Sequence, residues 1–279
     1  MMTNPADKRA AYRKLHESGC FVQPNPWDVG SARYLQSLGF PALATTSAGF
    51  AWTRGKPDTG VGLEDTLSHL TELAAACDVP LNADFENAFA HDADGVARHV
   101  TLAIATGIAG LSVEDSTGDA AKPLYDFDHA LARVKAARAA VDMTQSGVVL
   151  TARAECFLVG VNDLSETIRR LTAYAQAGAD CLYAPGLRSR EDIMAVIQAV
   201  APKPVNILNA APAFSVADLA AMGARRISIG GALARTAWAA AMTAAKDLAT
   251  QGSFGAFASG RVYGEIDGFF RADAKTRQR

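Results

Sequence analysis

Two hydrophobic periods alternate along this chain. Short apolar runs rich in Val, Ile, Leu and Ala read as buried strands at residues 20–24, 42–46, 80–85, 110–114, 148–154, 181–184, 205–208 and 226–229. Each is followed by a longer stretch whose apolar positions recur at helical spacing, at 29–38, 63–76, 94–106, 128–141, 164–177, 190–200, 216–222 and 233–250. Asp28 suits the N-cap of the first of these helices. Gly39, Gly107, Gly178 and Gly223 each stand at a helix end just before a strand, where a positive φ is commonly needed. The strings Gly178-Ala179-Asp180 and Gly223-Ala224-Arg225 look like one turn used twice. Eight strand–helix units without a composition break predict an α/β chain folded as a single (β/α)8 TIM-type barrel over residues 1–250, with an N-terminal helix. An open doubly wound sheet is the alternative. Residues 251–279 form an extension: 253–270 carries Phe254, Phe257, Tyr263, Phe269 and Phe270, too aromatic for a solvated tail, and 271–279 is polar.

Composition narrows the class. With 279 residues, 49% apolar and 20% charged, the chain can bury one barrel-sized core. A net charge of −2 with interspersed signs gives no footprint for nucleic acid or an acidic membrane, so small-molecule partners are expected. Cys20, Cys77, Cys156 and Cys181 lack metal-finger spacing, which points to reduced thiols. No run of about 18 apolar residues and no signal-like h-region occurs. A cytoplasmic protein is expected.

Charge is concentrated where strands end, which is where a barrel of this kind builds its site. Asn82-Ala83-Asp84, Val113-Glu114-Asp115 and Thr151-Ala152-Arg153 close the third, fourth and fifth apolar runs. Asp84, Glu86, Glu114 and Asp115 offer hard oxygens suited to Mg2+ or Mn2+, and Asn82 adds a neutral oxygen. Glu114 or Asp115 could equally pair with Lys122 or Arg153. Arg153 has a planar fork that suits a carboxylate of the substrate, or a salt bridge to Glu114 or Glu155. Thr46-Ser47-Ala48-Gly49 leaves small residues and backbone N–H groups to approach an oxyanion. Trp27 can wall a pocket, and Asn209 after the seventh strand can touch a distal carboxylate or cap its own loop.

In this order the strings resemble the isocitrate lyase and phosphoenolpyruvate mutase (phosphonomutase) superfamily over residues 10–250. The matching segments are Asn25-Pro26-Trp27-Asp28 with Ser31-Ala32-Arg33, Thr46-Ser47-Ala48-Gly49 with Gly55-Lys56-Pro57-Asp58, Asn82-Ala83-Asp84, Val113-Glu114-Asp115, Ala152-Arg153 and Gly178-Ala179-Asp180. The resemblance implies Mg2+ at Asp84, Asn82 and Glu114, with Asp58 near the metal waters. It implies a 2-oxo acid or enolpyruvyl ligand on residues 46–49, and Arg153 on its carboxylate. It also implies a homo-oligomer, a dimer or tetramer that exchanges a C-terminal helix.

Departures shape the expected reaction. The lyases' Lys-Lys-Cys-Gly-His loop, whose thiol serves as acid or base, has no counterpart after Asp84, where the chain reads Phe85-Glu86-Asn87-Ala88-Phe89-Ala90-His91. Ala88-Phe89-Ala90 stands where relatives have Gly-Tyr-Gly, and Asn82 where the mutases have Asp. The sixth strand ends Tyr183-Ala184-Pro185, without the mutases' His. The groups that bind and polarise a 2-oxo acid remain. The expectation is therefore a Mg2+-dependent carbon–carbon lyase or decarboxylase for an oxaloacetate-like acid, working through an enolate, with Arg153, Ser47, Glu114 and Asp58 as its catalytic set. The rivals are a phosphonopyruvate-type C–P hydrolase or mutase and a catalytically weak 2-oxo acid binding protein. Tyr125, His91 and Cys156 are the side chains weighed as proton donor.

Overall fold

A computed structural model describes residues 4–277. One compact unit runs to Gly231 and a second begins at Ala232. In the first, eight parallel strands lie in the order β1-β8-β7-β6-β5-β4-β3-β2: β1 Phe21–Gln23, β2 Leu43–Ala44, β3 Leu81–Asp84, β4 Gly110–Glu114, β5 Val149–Arg153, β6 Cys181–Tyr183, β7 Val205–Leu208 and β8 Arg226–Ser228. Pairing of β1 with β8 rules out the open sheet. A hydrogen bond from Ala44 N to Pro24 O (3.1 Å) joins β2 to the end of β1 and nearly closes the ring.

The helices of this unit are α1 Pro5–Leu15, α2 Val29–Ser37, α3 Ser47–Thr53, α4 Leu63–Ala76, α5 Ala93–Ala105, α6 Phe127–Met143, α7 Leu164–Gln176, α8 Arg190–Val200 and α9 Val216–Ala221. Most start on side-chain caps. Asp28 and Ser215 form capping boxes, and Asp92, Asp163 and Ser189 accept from the third backbone N–H of their helices. Gly39, Gly107, Gly178 and Gly223 all have positive φ, as the turn reading requires. Helix α3 was not legible: residues 47–49 read as a loop, yet Thr46 caps a short helix there by accepting from Gly49 N (3.3 Å).

The period-two pleat sorts the strand residues. Leu111, Val113, Leu150, Ala152, Leu182 and Ile207 are buried in clusters with residues of the surrounding helices. The alternate positions, Gln23, Asn82, Ser112, Thr151, Asn206, Arg226 and Ser228, are just as buried but polar. Gln23, Thr151, Asn206, Arg226 and Ser228 are joined by hydrogen bonds, with the Tyr12 hydroxyl among them. Arg226, 1% exposed, donates to Asn206 Oδ1 (2.8 Å), Thr151 Oγ1 (3.0 Å) and the Tyr12 hydroxyl (3.0 Å), and that hydroxyl donates to Gln23 Oε1 (2.6 Å). Tyr12 comes from α1, which fixes that helix against the barrel. Gly110 makes room: a Cβ there would stand 2.5 Å from the Tyr12 ring and 2.7 Å from Asn82 Oδ1.

The second unit holds α10 Ala232–Gln251, a 3-10 turn at Gly255–Ser259 and α11 Tyr263–Arg277. Its aromatic stretch is helical. Among the described residues no helix is long and apolar enough to cross a membrane.

Candidate active site

Parallel pairing aligns the strand ends that carry charge. Glu114 lies opposite Arg153 in the β4–β5 register, and Asp84 lies one strand further on, opposite Ser112. The Arg153 guanidinium is consequently wrapped by carboxylates: Nη1 to Asp84 Oδ1 (2.7 Å), Nη2 to Glu114 Oε2 (3.1 Å) and Nε to Glu155 Oε1 (2.8 Å). Burial alone would ease its proton off, but Glu155, Glu114 and Asp84 outweigh that and hold it well above its usual value.

Asp84 is the hinge of the site. Its backbone N–H donates to Thr45 Oγ1 (2.8 Å), and its second oxygen accepts from Ser47 N (3.0 Å). Ser47 Oγ in turn donates to Asp58 Oδ1 (3.1 Å), which also accepts from Thr59 N (3.0 Å). Asn25 ties the rim together: its amide donates to Thr45 O (2.8 Å), and its oxygen accepts from Ile229 N and Gly230 N (2.9 Å each).

Thr46, Ser47, Ala48, Asp58, Asn82, Asp84 and Arg153 together line a cavity of about 170 Å3 at the barrel mouth. Its floor is the polar interior, with Tyr183, Asn206, Arg226 and Ser228. Asn82 Nδ2 donates to Ala83 O (3.2 Å), whereas its Oδ1 is buried and has no hydrogen-bond partner. An orphaned buried oxygen of this kind costs stability until a cation or a donor meets it.

Five carboxyl groups, Asp58, Asp84, Glu86, Glu114 and Glu155, crowd one guanidinium. Burial pushes Glu114 well above its ordinary range, with Arg153 opposing and the neighbouring acids adding. Glu155 and Asp58 are raised for the same first reason. Burial, then the charges of Asp84 and Asp58, push Glu86 up to about 8. An unbalanced negative cluster of hard oxygens suits a divalent cation. Among the described residues no three acidic, imidazole or thiol groups converge as a ready-made cage. Mg2+ does not need one, since it keeps several waters and takes one or two protein carboxylates. Asp84 and the free Asn82 oxygen fit that demand. Glu114 reaches the cavity only through Arg153 and lines a neighbouring cleft.

Other expected residues lie elsewhere. Asp115 is turned away from the cavity: it accepts from Tyr174 (2.7 Å), Arg170 (3.1 Å) and Glu155 N (2.8 Å), so it locks β4 to α7 and to the segment after β5. Asn209 Nδ2 donates to Phe214 O (2.8 Å), closing its own loop, and neither it nor Trp27 borders the cavity. Gly49 N–H is spent on the α3 cap. Cys156 is buried, and burial pushes its thiol up. Reading strand ends alone missed the floor residues. Their signal was present: Asn206 and Arg226 are polar residues inside apolar strands, two positions before Leu208 and Ser228.

The loop after β3 is held under strain. Glu86, Ala88 and Phe89 have φ of 47°, 57° and 54°, a region that costs a non-glycine residue roughly 1–2 kcal/mol. The buried Arg133 of α6 pins it by donating to the carbonyls of Asn87 (2.6 Å), His91 (3.0 Å) and Ala90.

Comparison with known proteins places these features. Residues 12–249 match the family described as phosphoenolpyruvate phosphomutase. An oxaloacetate decarboxylase from Paraburkholderia xenovorans is 30% identical over 81% of this chain and 76% of its own length. An uncharacterized protein of Mycobacterium tuberculosis is 31% identical over 79% and 81%. A solved structure from Burkholderia cenocepacia, described as a lyase/mutase, superimposes with a TM-score of 0.93 at 42% identity, over 96% of this chain and 97% of that one.

The raised Glu86 gives a signed test. A carboxyl whose pKa climbs from 4.5 to about 8 on folding binds more protons folded than unfolded across that window, so its contribution to stability is lost as pH rises through it. Melting curves of metal-free protein should fall from pH 5 to about 8, and Glu86→Gln should flatten the fall. Adding Mg2+ should also flatten it, because the cation competes with the proton. An unchanged slope in both cases contradicts the electrostatic account.

Proposed function

The chain belongs to the phosphoenolpyruvate phosphomutase family, and from that premise we propose that it is a divalent-cation-dependent carbon–carbon lyase whose reaction is decarboxylation of a short, oxaloacetate-like 2-oxo acid. The observation that carries this reading is the cavity wall where Asp84, already bridged to Arg153 and Ser47, stands with the unpartnered Asn82 oxygen. Mg2+, with Mn2+ as an alternative, would be held by Asp84 and Asn82 and would draw electrons from the 2-oxo group of the substrate. Sequence similarity to an oxaloacetate decarboxylase supports the substrate class.

The chain's own residues divide the remaining work. Ser47 and Ala48 border the cavity, and the Ala48 N–H would orient the 2-oxo acid end. Arg153 keeps Asp84 and Glu114 in place and leaves N–H groups of its two terminal nitrogens to face a carboxylate. Asp58, through the Ser47 hydroxyl, fixes that hydroxyl's direction. Among the described residues no cation other than Arg153 and the buried Arg226 lines the cavity. A carboxylate on the carbon next to the carbonyl is thus held weakly. When it leaves as carbon dioxide, the bonding pair stays on the adjacent carbon as an enolate. Carbon–phosphorus cleavage lacks comparable support, because β6 delivers Tyr183 and Pro185 to the cavity, not an imidazole.

The second unit bears on assembly. In α10 only Ala234 is buried, while Trp238, Met242 and Leu248 are exposed, as are Phe254, Phe257, Ile266 and Phe270 beyond it. Exposed apolar side chains of this number support an association face, and the family resemblance supports a second copy as its partner.

Two outcomes are expected. Mg2+ should stimulate oxaloacetate loss, and Asp84→Ala should lower kcat/KM by roughly 10–100-fold; full activity in that variant, or loss unaffected by chelator, would sink the assignment. Sedimentation should find a dimer or tetramer that the pair Trp238→Glu and Met242→Glu weakens. A monomeric wild-type chain contradicts the association.

A further inference from the structure

A second, much smaller cavity of about 10 Å3 is bordered by Ser47, Asp84 and Glu86 and, from α4, by Thr66 and His69. It shares Ser47 and Asp84 with the chelating cavity, so Asp84 stands between the two spaces. A volume of this size is just the room that one water needs.

His69 is the unexplained group there. It is 7% exposed, and among the described residues its Nε2 is buried without a hydrogen-bond partner. A buried polar atom costs stability until a donor or acceptor meets it. The ring is stacked on Phe50 of α3, with centroids 3.8 Å apart and planes 8° from parallel. That stack ties α4 to the helix whose first residue, Ser47, donates its N–H to Asp84 Oδ2 (3.0 Å). Burial lowers the His69 pKa to about 4, against the opposing charge of Asp28, so the ring is neutral near pH 7. A neutral imidazole nitrogen, whether it carries the proton or the lone pair, can bond a water.

The bonds of Asp84 leave a place for such a water. An ionised carboxylate offers about four lone-pair sites. Ser47 N takes one on Oδ2 and Arg153 Nη1 takes one on Oδ1. Two remain, one for the cation and one for a further donor. We propose that His69 is a positioning residue of the metal site, resting on the reading of Asp84 as a metal ligand: one buried water joins its Nε2 to the Asp84 carboxylate and fixes the direction in which that carboxylate meets the cation. Thr66 and Glu86 border the same cavity and supply the water's remaining partners. Outer partners of this kind orient a ligating carboxylate and tune its hold on the metal. The bland alternative is that His69 only packs against Phe50.

Calorimetry of Mn2+ binding to the full metal-free chain, without substrate, separates these roles. His69→Phe keeps a flat ring against Phe50 and removes the nitrogen. His69→Gln gives up the ring and offers an amide nitrogen at similar reach. The Kd for Mn2+ should rise about tenfold in His69→Phe and return to within about threefold of wild type in His69→Gln. A packing role predicts the reverse order, because only phenylalanine preserves the stack. Wild-type affinity in His69→Phe, or equal weakening in both variants, overturns the proposal. Asp84→Ala run beside them tells the two claims apart: if it abolishes Mn2+ binding while His69→Phe binds normally, the water link falls and the metal reading stands. Both fall if the wild type binds no Mn2+ or if Asp84→Ala binds it unchanged. Should His69→Phe not fold, crystals of the wild type decide. A water within about 3.2 Å of both His69 Nε2 and an Asp84 carboxylate oxygen is expected, and a map without one overturns the proposal.

Discussion

One guanidinium among five carboxyl groups sets the terms for the site. Arg153 is buried at the end of β5, and its three nitrogens each touch a different acid: Asp84 from β3, Glu114 from β4 and Glu155 from its own strand's continuation. A buried charge survives only when it is paired, and here the pairing runs across three adjacent strand ends. The barrel register delivers those groups, so the ion cluster and the closure of the sheet stabilise one another. Because acids outnumber the base, the cluster is incomplete without further positive charge. That imbalance, more than any one residue, makes the mouth of this barrel a place for a cation and an anionic chelate.

Beneath the cluster the barrel is filled by polar groups instead of layers of Val, Ile and Leu. Arg226, Asn206, Thr151, Gln23 and Tyr12 form a closed set of hydrogen bonds on the inner face, while apolar residues at alternate positions bind the helices. A satisfied network of this sort rigidifies a core and gives the cavity a fixed floor. The strained loop after β3 is also held by a buried arginine: the terminal nitrogens of Arg133 donate to the Asn87, Ala90 and His91 carbonyls. Strain retained beside a site keeps Glu86 where burial, and then its acidic neighbours, raise its pKa.

Much of this was legible in the sequence, for identifiable reasons. Strands buried on both sides leave continuous apolar runs, and turns that need positive φ leave glycines, so all eight strand–helix units appear in the pattern, with β4 and β7 placed to the residue. The residues ending β3, β4 and β5 stood out because charge is rare in such runs. Direction was less legible. Glu114 and Asp115 are adjacent, and only the pleat decides that Glu114 faces Arg153 while Asp115 turns to Tyr174 and Arg170. Helix α3 escaped because seven residues rich in Ser, Ala and Gly carry little amphipathic signal. The pairing of His91 with Tyr125 joins residues 34 apart in sequence, which no local pattern records.

The central claim is that Asp84 and Asn82 hold a divalent cation that a 2-oxo acid chelates beside Arg153. Anomalous diffraction from crystals grown with Mn2+ and oxalate tests it directly. The account predicts one Mn2+ peak within bonding distance of an Asp84 carboxylate oxygen, with oxalate bidentate on the metal and the Asn82 oxygen on the metal or one of its waters. Oxalate bound to Arg153 with no metal peak at Asp84, or a peak held by other residues, would contradict it.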